Sequence, residues 1–264
     1  MKKNEAVLPK NQETTIAQWE QIRLSLNKNQ QFLLLEMLPS AVFLDSGVDL
    51  SKGRFDIISG EPHFIHQVSK NTIANSTTHN KIIEEINHSP QHIPDIYSAL
   101  PFVTGLIGFT SYEYGAQTHI RDSHVLDKTT LPSLYIGEYT WSYIYDRDKK
   151  EGFVTFSPRC PAELRTKILT TINNKNGLPT TNQTPPSLKE KNLNLTPPTI
   201  DNLVWEKTIS FSQYKKAFEQ AKSYIAAGDC YQINLAQRFE AQLKQSPLVL
   251  FFELREKVNT PYSA

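Results

Sequence analysis

The chain has 264 residues, enough for one large domain or two smaller ones with a sizeable core. Its 28 basic and 27 acidic side chains leave a formal charge of +1, with basic residues clustered only as pairs such as Lys2-Lys3 and Lys215-Lys216. That excludes the electrostatic footprint of a nucleic-acid binder. No run approaches the ~18 apolar residues of a membrane span, and MKKNEAVLPK is not followed by the apolar stretch of a signal peptide. Two cysteines, Cys160 and Cys230, are too few for a disulfide framework and fit a reducing compartment, so the expected location is cytoplasmic.

Residues 16–38 mix strand and helix signals and stop at Pro39. AVFLDSG (41–47) reads as a short strand closing at a turn. RFDIISGEPHFIHQVS is expected to form a hairpin, with Gly60-Glu61-Pro62 at the reversal. Helical spacing of apolar residues at 82, 83 and 86 predicts a helix over 81–88. FVTGLIGFTSYEYG is a strand-like run, and YIGEYTWSYIYD and GFVTFS, separated by the polar RDKKE, predict an antiparallel pair. PAELRTKILTTIN predicts a helix begun by Pro161. From about 173 to 199 the composition turns to Asn, Thr and Pro without periodicity, as in an exposed linker.

Toward the end, Ser212 is placed to cap a helix over 213–227, with Tyr214, Phe218, Ala221 and Ile225 on one stripe and Gly228 ending it. CYQINLAQRFEAQL then alternates. Tyr231, Ile233, Leu235, Phe239, Ala241 and Leu243 would share one face of a long strand. Ser246-Pro247 starts a further helix, and Thr260-Pro261 forces extended backbone.

No residue cluster declares a chemistry by itself. His63 and His66, three apart in a strand, point to opposite faces and cannot share an ion. His119 and His124 read as loop residues, and Cys230 has no histidine within 100 residues of it in sequence to activate it. The glycines at 105, 108 and 115 fit neither a phosphate loop nor a dinucleotide fingerprint. Gln232, Asn234 and Arg238 suit an anion pocket and solvent equally.

GDCYQINLAQRF (228–239), preceded by YKKAFEQAKSYIAA, resembles the opening of the chorismate-utilising domain shared by aminodeoxychorismate synthase component I and anthranilate synthase component I. FLDSGVDLSKGRFDIISGEP and LPFVTGLIGFTSYEYG resemble the N-terminal region of the same enzymes. Asp45-Ser46-Gly47 followed by Arg54-Phe55-Asp56-Ile57 is closer to the aminodeoxychorismate branch, with the anthranilate branch as the alternative.

The resemblance implies an α+β fold: a two-layer sandwich of mainly antiparallel sheets with helices outside. It implies an N-terminal domain over 1–172, a linker over 173–200, and the start of the chorismate-binding catalytic domain over 201–264. The family adds ammonia, delivered by a glutamine amidotransferase subunit, to chorismate with magnesium present. Its catalytic glutamate, lysine and magnesium carboxylates lie beyond the segment matched by NTPYSA, so the resemblance assigns no catalytic and no metal residue here. It also implies that the fold is truncated before its catalytic half is complete, and that the chain alone is inactive. Lys257, Glu253 and Glu256 are not substitutes.

What the resemblance does carry over is a tryptophan site in the N-terminal domain. The matching positions are Ser46, Lys52, Gly53, Arg54, Phe55, Pro261, Tyr262 and Ser263. A bound amino acid needs donors for its carboxylate, acceptors for its ammonium and apolar walls, and Ser46, Arg54, Phe55 and Tyr262 supply those types. The plainer reading makes Arg54 and Phe55 a strand edge and its core residue. A non-catalytic tryptophan-binding or docking module is a further alternative.

Overall fold

Strands form where β-branched and aromatic residues concentrate, and the chain folds them into antiparallel ladders. A computed structural model of the protein describes residues 18–47, 53–69, 80, 83–84, 92–111, 114, 131–173, 203–243, 246–258 and 260–264. They belong to two compact units, Met1–Thr180 with Val258–Ala264, and Thr181–Lys257.

The first unit holds β1 (Glu20–Arg23), α1 (Lys28–Met37), β2 (Val42–Leu44), β3 (Phe55–Ser59), β4 (Phe64–Val68), β5 (Gly105–Thr110), β6 (Leu134–Tyr139), β7 (Trp141–Asp146), β8 (Glu151–Phe156) and α2 (Ala162–Asn173). Five strands make an antiparallel sheet in the order β1-β8-β7-β3-β2. Its register sets Trp141 against Phe156, and aligns Ile58, Tyr143 and Val154 across three strands. All five are fully buried. At ~1.5–3 kcal/mol for each large apolar side chain removed from water, this row contributes substantially to the unit's cohesion.

The two helices cover that face. Asn27 caps α1 in a reciprocal arrangement with Gln30, and the Gln30 amide donates to the Ile172 carbonyl of α2 at 2.6 Å. The Leu26 N–H donates to the Tyr143 hydroxyl at 3.0 Å, and Arg165 of α2 lies 5.6 Å from the Phe156 ring centre. On the opposite face Ile144 packs with Tyr97 and Val103. Cover on both faces explains why WSYIYD reads as an almost unbroken apolar run.

The predicted hairpin at 60–62 does not form. β3 pairs with β7, while β4 pairs with β6 in a second, three-stranded sheet ordered β4-β6-β5. Residues 55–68 run beside 134–146 as one bent ladder, and at its corner five residues (59–63) oppose four (139–142). An extra residue on one strand bends the ladder and lets the chain pass from one sheet into the next. Trp141 Nε1 donates to the Gly60 carbonyl at 2.8 Å, fixing that corner from the core side. Gly-Glu-Pro therefore marks a change of sheet, a use of turn residues that local sequence does not distinguish from a reversal.

The second unit carries β9 (Glu206–Lys207), α3 (Phe211–Ala227), β10 (Phe239–Glu240) and α4 (Pro247–Val258). The cap of α3 is Ser210, two residues before the predicted Ser212, in a reciprocal pair with Gln213, and Gly228 ends the helix with φ 81°. The long strand predicted from 231 onward is confined to Phe239–Glu240, paired with β9. Tyr231 is 94% exposed and the residues from 231 to 238 are irregular. Alternation alone does not make a strand, because its backbone groups need a neighbouring ladder. The predicted helix over 81–88 and the linker fall largely or wholly outside the described residues, as do His119, His124 and Gly115.

The architecture is thus α+β, with mainly antiparallel sheets and helices outside. Among the described residues no helix is long and apolar enough to cross a membrane.

Candidate ligand-binding site

The ends of β2 and β3 and the segment 260–264 line an open cavity of about 630 Å³, within the ~300–1,000 Å³ range of small-molecule sites. Six of the eight residues singled out from the sequence line it: Ser46, Gly53, Arg54, Phe55, Tyr262 and Ser263. Pro261 is partly buried but does not line it, and Lys52 lies outside the described residues.

Backbone pairing joins residues more than 200 apart in sequence. Asp45 and Ser263 exchange two main-chain hydrogen bonds, of 2.8 and 2.9 Å, which extends the sheet edge beyond β2. Ser46 is then held from two sides: its N–H donates to Asp56 Oδ1 at 3.0 Å and its hydroxyl to the Phe55 carbonyl at 2.6 Å. Gly53 comes so close that a Cβ there would sit 2.6 Å from Ser46 Oγ, so no other residue fits without displacing Ser46.

Arg54 supplies the cavity's cation. Its Nε and Nη2 donate to Asp146 at 3.1 and 2.7 Å, Asp148 lies 3.5 Å away, and the guanidinium sits 4.6 Å from the Phe55 ring centre. The Arg54 bond holds the Asp146 carboxyl below its usual range. Phe55 and the 78%-exposed Tyr262 offer aromatic faces. The arrangement can donate to a carboxylate, accept from an ammonium and cover a flat apolar group.

Sequence reasoning missed several contributors. Leu44, Asp45, Asp148 and Ala264 also line the cavity. Below it, buried Arg147 bridges Asp45 and Asp56. Burial outweighs the arginine's pull and raises the Asp56 pKa. RDKKE reads as a solvated turn, and nothing local shows that its first residue turns inward while its second faces a cavity. The only signal was the acidic pair Asp45 and Asp56, each beside a residue already chosen.

Other candidates carry less. Cys160 is buried, which pushes its thiol up to about 11, so it does not act as a ready nucleophile. Gln232, Asn234 and Arg238 are exposed, with Arg238 paired to Glu240 at 2.9 Å. Of the two readings of that row, solvent is the one the structure shows.

Residues 40–264 match the family described as chorismate binding enzyme. The chain belongs to that family. The chain is 26% identical over 247 residues to aminodeoxychorismate synthase component 1 of Escherichia coli, an alignment covering 88% of this chain and 49% of that protein. It is 29% identical over 198 residues to anthranilate synthase alpha subunit 1 of Arabidopsis thaliana, covering 69% and 32%. Its fold is similar to that of anthranilate synthase component I from Streptococcus pneumoniae, with a TM-score of 0.58, 21% identity, and 78% and 46% of the two chains covered. The chain spans about half the length of the Escherichia coli protein.

Proposed function

We propose that this chain is the N-terminal portion of an aminodeoxychorismate synthase component 1. In this reading the whole enzyme takes chorismate, and ammonia from a glutamine amidotransferase subunit, to 4-amino-4-deoxychorismate for 4-aminobenzoate and folate. The observation that carries it is the extent of the likeness: 88% of the chain aligns with the Escherichia coli aminodeoxychorismate enzyme, against 65% to 80% with the plant anthranilate synthase subunits. Two free cysteines, Cys160 and Cys230, support a cytoplasmic setting.

No step of the amination is assigned to residues of this chain. Magnesium is implied by the resemblance, yet among the described residues no three His, Cys, Asp or Glu side chains group as a metal site. The buried carboxylates Asp45 and Asp56 already hold Arg147. The described residues do not fit the ion.

The cavity is read as a tryptophan site set apart from the chemistry. Arg54 would meet the carboxylate, the exposed carboxylate of Asp148 would meet the ammonium, and Phe55 and Tyr262 would flank the indole. The mixture of one guanidinium, carboxylates and aromatic rings supports a zwitterionic aromatic ligand.

The test is product identification. The purified chain is incubated with chorismate, ammonium and magnesium, alone and with a co-expressed chain supplying the remaining length of the relatives. The expected result is no turnover alone and 4-amino-4-deoxychorismate on completion. Anthranilate as the product would move the chain to the other branch, and turnover by the chain alone would refute the reading.

A further inference from the structure

Beneath the cavity one buried side chain joins the chain just past β2 to the start of β3. Arg147 is 6% exposed. Its Nε donates to both oxygens of Asp56, at 3.1 and 3.0 Å, and its Nη2 donates to Asp45 at 3.3 Å and to the Gly47 carbonyl. The two carboxylates turn back onto the chain. Asp56 Oδ1 accepts the Ser46 N–H at 3.0 Å, and Asp45 Oδ1 accepts the Gly47 N–H at 3.1 Å. Asp45 also carries the main-chain pairing with Ser263.

Stability is a poor explanation for this arrangement. Buried ion clusters are often replaced by apolar side chains at no loss. Here one guanidinium faces two carboxylates, and its Nη1 is buried without a hydrogen-bond partner among the described residues. What the cluster does fix is position: where Ser46 sits relative to Phe55, and which edge Ser263 finds.

We propose that Arg147 is a positioning residue that ties the 260–264 segment to the cavity wall, so that occupancy of the cavity and pairing of Ser263 with Asp45 are linked. A ligand that needs both walls favours the paired arrangement, and pairing favours the ligand by the same factor. The ligand half of this statement rests on the amino-acid reading of the cavity, whereas the coupling of Arg147 to Ser263 does not.

Amide hydrogen exchange on the full chain separates the two. In Arg147→Met, protection at Asp45 and Ser263 is expected to fall by roughly tenfold or more, within the range of ordinary coupling energies, while the β7–β8 ladder keeps its protection. Arg147→Lys, which keeps the charge but loses the fork, should fall between. Equal loss at every amide, or no loss at Ser263, would overturn the proposal. Should the methionine variant not fold, Asp45→Asn decides: it keeps an acceptor for Gly47 N–H but weakens the ion pair, and selective loss at Ser263 is again expected. L-tryptophan is the ligand probe. It should raise protection at Asp45 and Ser263 in the unaltered chain and bind the Arg147→Met variant about tenfold more weakly. If tryptophan protects nothing in the unaltered chain, the amino-acid reading of the cavity and the linkage to occupancy fail. The local exchange pattern still decides the Arg147 tie.

Discussion

Gly53→Ala places the most direct strain on the cavity wall. The added methyl would sit 2.6 Å from Ser46 Oγ and 3.1 Å from its Cα, well inside contact distance. Ser46 cannot simply rotate away, because its hydroxyl and N–H are bonded to the Phe55 carbonyl and to Asp56. Either the wall is overpacked, at about 1–3 kcal/mol, or the hydroxyl bond is given up for about 1 kcal/mol and the wall shifts. Denaturant unfolding followed by fluorescence should show the midpoint lowered with an unchanged slope. Ser46→Gly removes the obstructing Cβ and Oγ. The double variant Gly53→Ala/Ser46→Gly should therefore lose less than the sum of the two single losses, by at least ~0.5 kcal/mol. Strict additivity, or a Gly53→Ala chain as stable as the original, would refute the packing argument.

Further outcomes follow from the core and its charges. Leu34→Ala empties a fully buried position on α1 and should cost ~2–5 kcal/mol in the same unfolding assay. Tyr143→Phe leaves the Leu26 N–H without its buried acceptor and should cost ~1–3 kcal/mol, detectable also as faster exchange at Leu26. Arg54 holds the Asp146 carboxyl below its ordinary pKa, so that group's contribution is whole above about pH 4 and is lost as pH falls through the depressed value. Asp56 runs the other way: its raised pKa leaves a penalty at neutral pH that eases on acidification. Asp146→Asn should accordingly flatten the stability profile below about pH 4, measured by thermal melts across the acid range.

The two kinds of signal in the sequence were not equally readable. α2 and the β7–β8 pair were legible because their apolar spacing and the polar turn between the strands act locally. The β3–β4 corner was not, since Gly60, Glu61 and Pro62 suit a reversal and a sheet change equally, and only pairing with β6 and β7 decides. Tyr231, Ile233 and Leu235 have the period of a strand, but the period says nothing about whether a neighbouring strand is available. At the cavity, the residues found in advance came through resemblance to relatives. Arg147 and Asp148 escaped because charged residues in a tight turn are ordinarily solvated, and their partners Asp45, Asp56 and Arg54 arrive from strands about 90–100 residues earlier.

Calorimetric titration of L-tryptophan into the purified chain tests most directly whether the pocket between β2, β3 and residues 260–264 is a ligand site. The account predicts saturable heat at one molecule per chain, lost when Arg54 is replaced by alanine and accompanied by a rise in melting temperature as the ligand loads the folded state. A folded chain that gives no heat and no thermal shift with tryptophan, even at millimolar concentration, would contradict it.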